Sequence, residues 1–436
     1  MTTPARHAAA LAAPLLLLLT ACGEATPPAA PQPVAAEATA TPPPAAAAAP
    51  TPGAVARLGS ATPSRPAAKA ATAVARNPGG TVRVVGPGHA YRTPCQAIAA
   101  AAAGDTVQID AKGNSGYAGD VCGWRTDGLM IVGFNGRARV DAAGRNAQGK
   151  GTWVIAGDDT VVDNVELSGA KVPDRNGAAI RQEGAGLTVR RSYLHDNENG
   201  ILAGDNPASD IVVEYTEFAR NGHGDGYTHN IYVNHVRSFT LRHSWSHDAR
   251  VGHLVKSRAL VNDILYNRIT GQGGTASYEI DLPNGGRSRI VGNVVQQGAK
   301  SQNPNLVAYG EEGSLNPDSR LSVVNNTFVN DLGKGAVVLV GGAVSTKVLF
   351  QNNVSVGSPT QVSQSGATVV ATCSGDPRFV DPAGFDYRLR AGSPCVDAGR
   401  TPPAGLAPTA QYRYDLGRQA RTVTGGGIDA GAFEQG

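Results

Sequence analysis

The sequence predicts an all-β fold: a right-handed parallel β-helix, closed by a short N-terminal cap and an irregular C-terminal cap. Short runs of β-branched residues recur along the middle of the chain at intervals of about 23–33 residues, as in solenoids. Glycine is abundant, at 55 of 436 residues, whereas aromatic residues make up only 5%. That balance is typical of short strands and tight turns, and the repeats show no helical periodicity.

The first 22 residues have the features of an export signal. Arg6 precedes an apolar run over residues 8–19, which is well short of the roughly 20 residues that a membrane-spanning helix needs. The run ends in Leu-Thr-Ala-Cys at residues 19–22. This segment resembles a bacterial lipobox, which implies lipidation of Cys22 and a place in the cell envelope, on the periplasmic or surface face. Gly23 after the cysteine implies the outer membrane, and an ordinary signal peptide is the alternative.

Residues 23–80 are mostly Ala, Pro and Thr. They lack the large apolar side chains that would offset the entropy of ordering, so this segment is predicted to be a disordered tether. We expect the β-helix over residues 81–372 and its C-terminal cap over residues 373–436. An Ala-rich stretch at residues 95–103 is expected to form a short helix over the first coil.

The number of cysteines is consistent with export, because an even number remains once Cys22 is set aside. Of the five cysteines, one is Cys22, which leaves Cys95, Cys122, Cys373 and Cys395. In an oxidising compartment the simplest pairing is local, Cys95 with Cys122 and Cys373 with Cys395. Four cysteines allow three pairings, so the connectivity stays open, and none of them has the close spacing of a zinc site.

The repeats open with similar strand-like runs. Their first residues are Val162, Val189, Val213, Leu241, Ile264, Ile290, Val323 and Leu349. Three positions after the openers comes a column of mostly polar side chains: Val165, Ser192, Thr216, Ser244, Asn267, Asn293, Asn326 and Asn352. Such side chains can hydrogen-bond to the next coil, so the column predicts stacked turns. A seven-bladed propeller is the alternative, with longer four-stranded blades.

A second strand occurs in each repeat. Its centres are Ile180, Ile201, Ile231, Val255, Ile280 and Val307. Because side chains alternate across a strand, we expect these centres to point inward and the residues directly before or after them to point outward. The expected outward residues are Arg181, Asn230, Tyr232, Leu254, Lys256, Glu279, Asp281 and Ala308. Adjacent coils lie about 4.8 Å apart, so Tyr232, Lys256 and Asp281 should form one outer column. Charged residues are costly to bury, and the column therefore predicts a site for an extended polymer.

Histidines concentrate in the same region. All except His7 and His89 lie between His195 and His253. His229 and His253 begin successive second strands, whereas His195 and His247 fall in equivalent turns. Histidine transfers protons, binds substrate or ligates metals; the alternative for any one of them is a turn residue that bonds to the backbone.

The C-terminal part carries three short motifs. They are Asp-Pro-Arg-Phe-Val-Asp-Pro at residues 376–382, Gly-Ser-Pro-Cys-Val-Asp-Ala-Gly at residues 392–399 and Asp-Ala-Gly-Ala-Phe-Glu at residues 429–434. The motifs resemble the closing segment of secreted bacterial parallel β-helix proteins. This resemblance covers the chain from about residue 81 onward and implies the fold rather than a chemistry.

A second resemblance concerns the candidate site. The residues that carry it are Val255-Lys256-Ser257, Asn262, Ile264, Asn267 and Ile269. They resemble the Val-Lys-Ser segment of β-helix polysaccharide lyases, the type of chondroitinase B and some alginate lyases. In that family this Lys removes the proton α to a uronic-acid carboxyl group, which implies that Lys256 is the base of a lyase or epimerase. A Lys can serve so if neighbouring cations such as Arg250 or Arg258 lower its pKa.

Two positions depart from the family pattern. The family places an Arg on the next coil as proton donor, where this sequence has Asp281. Members that use calcium carry acidic ligands shortly before the Lys, where residues 249–252 are Ala-Arg-Val-Gly. Calcium is thus implied only by the family members that use it, and not by acidic residues at these positions of this sequence. Asp281 offers a further reading, in which it forms a salt bridge that keeps Lys256 charged as a substrate clamp.

Three alternatives remain open. A glycosidase would use Glu279 and Asp281, whose expected separation of about 6–7 Å suits a pair of catalytic carboxyl groups, with Glu311 and Glu312 one coil further on as supplements. A non-catalytic protein would bind glycans by stacking sugars on Tyr232, Tyr227, Trp245 and Tyr309. A metal site would combine His229, His253 and an acid. The candidate catalytic residues are therefore Lys256, Asp281, Glu279 and His253; the candidate substrate-binding residues are Arg181, His229, Asn230, Tyr232, His247, Arg250, Arg258 and Tyr309.

The net charge of the chain limits the kinds of molecule that it is expected to bind. A net charge of +3 is too small for a general nucleic-acid binder, so no nucleic-acid partner is expected. Arginines scattered over the repeats favour an acidic polysaccharide. Phosphate-cradling loops and nucleophile elbows are missing from the sequence, which argues against nucleotide and acyl-transfer chemistry. We expect a monomer held at a membrane by its lipid.

Overall fold

Residues 79–112 and 116–436 are described by a computed structural model, in which they form a parallel β-helix of about ten turns. Cys22, the lipobox and nearly all of the expected tether lie outside the described residues. All three long sheets are parallel, so the fold is the predicted solenoid rather than a propeller of four-stranded blades.

The helix and strands are short. In chain order they are β1 (Val82–Val85), α1 (Pro94–Ala99), β2 (Thr106–Asp110), β3 (Cys122–Trp124), β4 (Met130–Phe134), β5 (Ala138–Asp141), β6 (Gly151–Ile155), β7 (Thr160–Asp163), β8 (Val165–Ser168), β9 (Ala178–Gln182), β10 (Leu187–Arg190), β11 (Tyr193–His195), β12 (Asn199–Ala203), β13 (Asn206–Glu214), β14 (Glu217–Ala219), β15 (Ile231–Val233), β16 (Val236–Arg242), β17 (Trp245–His247), β18 (Val255–Ser257), β19 (Val261–Leu265), β20 (Arg268–Thr270), β21 (Ile280–Leu282), β22 (Arg287–Val291), β23 (Val294–Gln297), β24 (Val307–Tyr309), β25 (Leu321–Val324), β26 (Thr327–Asn330), β27 (Ala336–Val340), β28 (Leu349–Gln351), β29 (Val354–Val356), β30 (Thr360–Val362), β31 (Thr368–Val370), β32 (Cys373–Ser374), β33 (Phe379–Asp381), β34 (Asp386–Leu389), β35 (Ala410–Arg413) and β36 (Gly417–Ala420).

Three sheets run along the solenoid. Sheet A contains β1, β2, β4, β7, β10, β13, β16, β19, β22, β25, β28 and β31; sheet B contains β3, β6, β9, β12, β15, β18, β21, β24, β27 and β30; sheet C contains β5, β8, β11, β14, β17, β20, β23, β26, β29 and β32. From β4 onward the chain passes from sheet A to sheet C and then to sheet B in each coil. The predicted inward centres of the second strand lie in sheet B and are fully buried: Ile180, Ile201, Ile231, Val255, Ile280 and Val307.

The predicted polar column joins the coils at the turn between sheets A and C. The Asn267 backbone N–H donates to Asn293 Oδ1 at 2.9 Å, and Asn293 in turn donates from Nδ2 to the Ile264 carbonyl one coil back at 2.8 Å. Asn326 and the next coil repeat both contacts. In the earlier coils the same place is taken by hydroxyls, as where the Thr216 N–H donates to Ser244 Oγ. Each turn is therefore fixed to its neighbours by buried hydrogen bonds.

The last member of that column corrects the sequence analysis by one residue. Val323 pairs with Phe350 rather than with Leu349, and Asn326 donates to Asn353 Oδ1 rather than to Asn352. The reason is packing: Phe350 is fully buried and takes the inward position of its coil.

Both ends of the solenoid are covered. At the N-terminal end α1 packs Ala97 and Ile98 against the first coils, and Cys95 is disulfide-bonded to Cys122. In the C-terminal part, the antiparallel hairpin β33–β34 forms a second small core with side chains of sheet C, whereas the hairpin β35–β36 begins beside an earlier coil, where the Thr409 N–H donates to Tyr266 Oη at 3.1 Å. Cys373 is bonded to Cys395 in that small core, so both local pairings are confirmed.

Two disulfides are typical of a protein that resides in an oxidising compartment outside the cytosol. Within residues 79–112 and 116–436, none of the helical structure has the length and apolar character required to cross a bilayer.

The asparagine column generates a stability prediction. Asn293→Ala would leave the buried Asn267 N–H and the Ile264 carbonyl without their partners, so we expect a loss of about 3 kcal/mol in the free energy of unfolding. Guanidinium denaturation measures it. Asn176→Ala, which removes one half-exposed contact to Asn199, is the control and should cost under about 1 kcal/mol. Equal losses would contradict a special role of the column.

Candidate functional site

The outer face of sheet B carries the predicted column. Tyr232 in β15 pairs with Lys256 in β18, and Lys256 pairs with Asp281 in β21. The parallel register places the three side chains on successive coils, about 4.8 Å apart. The residues directly before and after them in the same strands point into the core, because side chains alternate strictly between the two faces of a sheet where one face is buried.

Lys256 lies between two carboxylates. Its Nζ is 2.9 Å from Asp281 Oδ2 and 3.1 Å from Glu312 Oε1. Burial lowers the pKa of Lys256, but the attraction of both carboxylates outweighs burial and the net shift is upward. Lys256 is therefore a cation in this state, as the salt-bridge reading of Asp281 anticipated.

The pKa values of the two carboxyl groups, Asp281 and Glu312, are shifted in opposite directions. Burial raises the pKa of Asp281, whose side chain is only 5% exposed, even though Lys256 acts against it. Burial also acts on Glu312, but Lys256 and Arg258 together bring its pKa below the usual range. Of the two, Asp281 is thus the carboxyl group that takes up a proton more readily.

Arg258 completes the cationic part of the site. Its guanidinium donates to Tyr232 Oη at 3.0 Å, to Asn284 Oδ1 at 2.6 Å and to Glu312 Oε2 at 2.6 Å. Both Lys256 Nζ and the Arg258 guanidinium lie within 6 Å of the Tyr232 ring centre, at 5.8 Å and 5.9 Å. A cation near an aromatic face is stabilised by the ring quadrupole, so Tyr232 holds both cations in place.

His229 and His253 line the entry to sheet B. Their rings stack with centres 4.7 Å apart. His229 Nδ1 accepts the His253 backbone N–H at 2.9 Å, and His253 Nδ1 accepts the Tyr278 N–H at 3.2 Å, so each ring carries its proton on Nε2. Burial, with help from Lys256, moves the pKa of both histidines well below the usual range. Both rings are neutral, and His253 Nε2 lies 3.4 Å from Asp281 Oδ2.

Glu279 does not lie on the outer face. The prediction that it points outward with Asp281 is wrong, because residue 279 precedes β21 and turns into the interior corner between sheets C and B. Leu254 and Asn230 occupy the same place in the two preceding coils, and all three are fully buried. Glu279 Oε2 accepts a hydrogen bond from Gln297 at 3.3 Å, whereas Oε1 has no partner among the described residues. The proposed pair of facing carboxyl groups is therefore not formed.

Asn230 and Tyr309 also point inward. Asn230 donates from Nδ2 to Ser246 Oγ at 3.0 Å and to the His247 carbonyl at 2.9 Å, which places it inside the corner of the coil. Tyr309 is fully buried and donates to the Gly286 carbonyl at 2.6 Å. Alternation counted from Val307 within β24 would have placed Tyr309 inward.

The other candidates are spread around the coils. Arg181 belongs to the same sheet B column as Tyr232 but is two coils earlier, and its Nε lies 3.6 Å from Glu183. His247 is on sheet C, between Asp248 and Glu217, with Trp245 stacked on it. The remaining two positions are Arg250, which contacts Asp196, and Tyr227, which is 69% exposed in the loop before β15.

Two contributors were not singled out by the sequence. Asn284 orients Arg258, and Tyr278 bonds to His253 through its backbone. The contact of Glu312 with Lys256 joins residues 56 positions apart. The coil of β21 lies between them and Glu312 belongs to an irregular loop after β24, so the repeat pattern does not predict this contact.

The fold has a known counterpart. The sequence matches no protein-family model and no curated protein. Among solved structures, pectate lyase Pel9A is similar: TM-score 0.56, 16% identity, 82% of this chain and 96% of that chain covered. The likeness is one of fold. It confirms that the chain resembles β-helix polysaccharide lyases in architecture.

The two carboxylates near Lys256 are already paired with cations. Calcium prefers six to eight oxygen ligands, whereas Asp281 and Glu312 are both engaged with cations. Over the part of the chain that the structure describes, no cluster of three or more His, Cys, Asp or Glu side chains is placed to hold a metal. His229, His253 and a nearby acid do not form such a cluster.

Glu279 generates a pH prediction. Burial raises its pKa well above the usual range, so the folded protein holds a neutral acid while the unfolded chain ionises at ordinary pH. This difference costs stability increasingly as the pH rises above the ordinary glutamate value. Glu279→Gln should therefore raise the free energy of unfolding at pH 8 and change it little at pH 4.

The measurement is guanidinium denaturation at both pH values. Glu183→Gln serves as the control, because the Glu183 carboxylate is partly exposed and paired with Lys150 at 2.5 Å; it should bring no gain at pH 8. If Glu279→Gln destabilises the protein at pH 8, Glu279 is ionised in the folded state and its assignment as a neutral acid is wrong.

Proposed function

We propose that this chain is an exported β-helix protein that acts on an acidic polysaccharide at the outer face of sheet B. One observation carries the proposal: Lys256 and Arg258 form a cationic pair beside Tyr232 on a face that successive coils extend. A polymer can lie along such a face, with a carboxylate at the cations and a sugar ring against the aromatic side chain.

The proposed reaction is proton abstraction next to the carboxyl group of a uronic acid. Lys256 first passes a proton from Nζ to Asp281 Oδ2, which is 2.9 Å away, leaving a neutral amine and a carboxylic acid. Burial favours this neutral pair, since desolvated charges are costly. The amine then removes the proton α to the substrate carboxyl group, and Arg258 stabilises the negative charge that develops on the carboxylate oxygens.

In the elimination, the carbon–oxygen bond to the next sugar breaks and the leaving oxygen takes the proton of Asp281. The products are an unsaturated sugar, a new chain end, a protonated Lys256 and an ionised Asp281. This is the resting ion pair again, so the cycle balances without a further reagent. Asp281 thereby acts as the proton donor, the role that an Arg on the corresponding coil has in the lyase family. His253 packs beside Asp281, with Nε2 3.4 Å from Oδ2. Return of the proton to the opposite face of the same carbon would be epimerisation instead.

A non-catalytic role is the second candidate. The observation in its favour is that both carboxylates raise the pKa of Lys256, which suits a clamp that holds an anionic glycan without reaction. The two functions differ in whether Lys256 must lose its proton.

Variants of Lys256 separate these functions. With polygalacturonate or alginate as substrate, elimination gives an unsaturated product that absorbs in the ultraviolet. Lys256→Ala and Lys256→Arg should both lower turnover by at least about 100-fold, because neither can act as base. Lys256→Arg should retain binding, since it keeps the charge.

Lys347→Ala is the matched control. Lys347 is exposed and contacts only the Ser365 carbonyl among the described residues, so turnover should stay unchanged. Full turnover in Lys256→Arg would reject Lys256 as base. Binding of the polymers with no product from the wild type would favour the clamp.

We also propose that Cys22 anchors the protein to a membrane through a lipid. Cys22→Ser should release the protein from the membrane fraction and abolish its labelling by a radioactive fatty acid in bacterial cells. A variant that stays lipid-labelled and membrane-bound would contradict this anchor. The folded part should be unaffected, because its thiols are all in disulfides.

A further inference from the structure

The carboxylate of Glu312 comes from a distant coil. Glu312 follows β24, which is two coils after β18, and its side chain reaches back to Lys256 and Arg258. Its two oxygens serve the two cations separately: Oε1 lies 3.1 Å from Lys256 Nζ and Oε2 lies 2.6 Å from the Arg258 guanidinium. This is the arrangement in which two cations hold one carboxylate group from a ligand.

The loop behind Glu312 is fixed at several points. The Glu312 N–H donates to the Pro283 carbonyl at 3.2 Å, and the Asn316 N–H donates to the Asn284 carbonyl at 2.8 Å. Asn316 also donates from Nδ2 to the Ala259 carbonyl at 3.0 Å. The backbone therefore stays close to the site, whereas the Glu312 side chain, 37% exposed, can leave the cations by bond rotation alone.

Charge balance shows what Glu312 does at rest. Among the groups in direct contact, Lys256 and Arg258 contribute two positive charges, and Asp281 and Glu312 contribute two negative charges. The histidines beside them are neutral. Glu311 lies near enough to interact electrostatically with Asp281 but is not paired with either cation. Removal of the Glu312 side chain from the pair leaves a net positive site whose Arg258 lacks a carboxylate partner, which is the state that an anionic ligand would bind.

We propose that Glu312 is a built-in competitor, occupying the carboxylate-binding position of the Lys256–Arg258 pair until an acidic ligand displaces it. This inference rests on the proposed function, because it assumes that an anionic polysaccharide uses these cations. A tethered competitor acts at an effective concentration in the millimolar range or higher. A monomeric acid therefore competes poorly, whereas a polymer gains additional contacts along sheet B. Glu312 thus selects for polyanionic chains.

The test compares Glu312→Gln with Glu311→Gln. Both substitutions remove one acidic side chain from the same loop. Glu311 interacts with the site only through its charge, which acts on Asp281, while Glu312 is paired with both cations. Affinity for oligogalacturonate and oligoalginate is measured by calorimetry, or as KM where turnover occurs. Uncharged, fully methyl-esterified oligomers are the control ligands.

Glu312→Gln should bind the acidic oligomers about threefold to tenfold more tightly than the wild type, the range expected for losing a partly exposed ion-pair competitor. It should also gain measurable affinity for monomeric galacturonate. Glu311→Gln should stay within about twofold of the wild type, and the esterified oligomers should not distinguish the variants.

Two results would overturn the inference and leave the proposed function intact. One is unchanged or weaker binding by Glu312→Gln while the wild type binds the acidic oligomers. The other is an equal gain in Glu311→Gln, which would mean that general loop charge matters rather than occupation of the cationic pair. Failure of every variant to bind either acidic oligomer would instead reject the proposed function, and this inference with it.

Discussion

The in-register stacking of parallel coils is the constraint on which the structure depends. Each turn between sheets A and C is held to the next by buried side-chain hydrogen bonds, of which the Asn267–Asn293 contacts are typical. A shift of one residue in one coil would break these bonds and turn its core residues outward. Because the register is fixed, residues about 25 positions apart in the chain become direct neighbours across the sheet.

The candidate site is a consequence of that register. Tyr232, Lys256 and Asp281 come from three coils and are far apart in the sequence; they become neighbours only because the coils stack. The site combines this regular face with an irregular loop that supplies Glu312. A rigid wall positions the cations, while a movable side chain from the loop neutralises them. Repeat proteins commonly vary their loops on a constant scaffold, and here the loop changes the charge of the site.

Burial determines which polar residues can act on a ligand. Glu279 and Asp281 are separated by one residue, yet one is a neutral acid inside the corner and the other faces the site. A similar division separates Tyr232 from Tyr309. In each case the side chain at an outward position within a strand joins the cationic site, although Asp281 is itself buried there, and the side chain at a turn or an inward position packs into the core. Residue type alone does not distinguish them.

The fold and the Tyr232–Lys256–Asp281 column could be predicted from periodicity, which is local information that repeats. The sequence also favoured the two disulfide pairings, because the paired cysteines are close in the chain, and the structure decided between the three possible connectivities. Alternation misplaced Glu279 and Asn230, because it holds within a strand and fails at its ends, whereas Tyr309 occupies an inward position that alternation from Val307 predicts. Only the tertiary structure decided the charge of Lys256, the neutral state of His253 and the contact with Glu312. Those depend on distances between coils and on desolvation, which no spacing in the chain encodes.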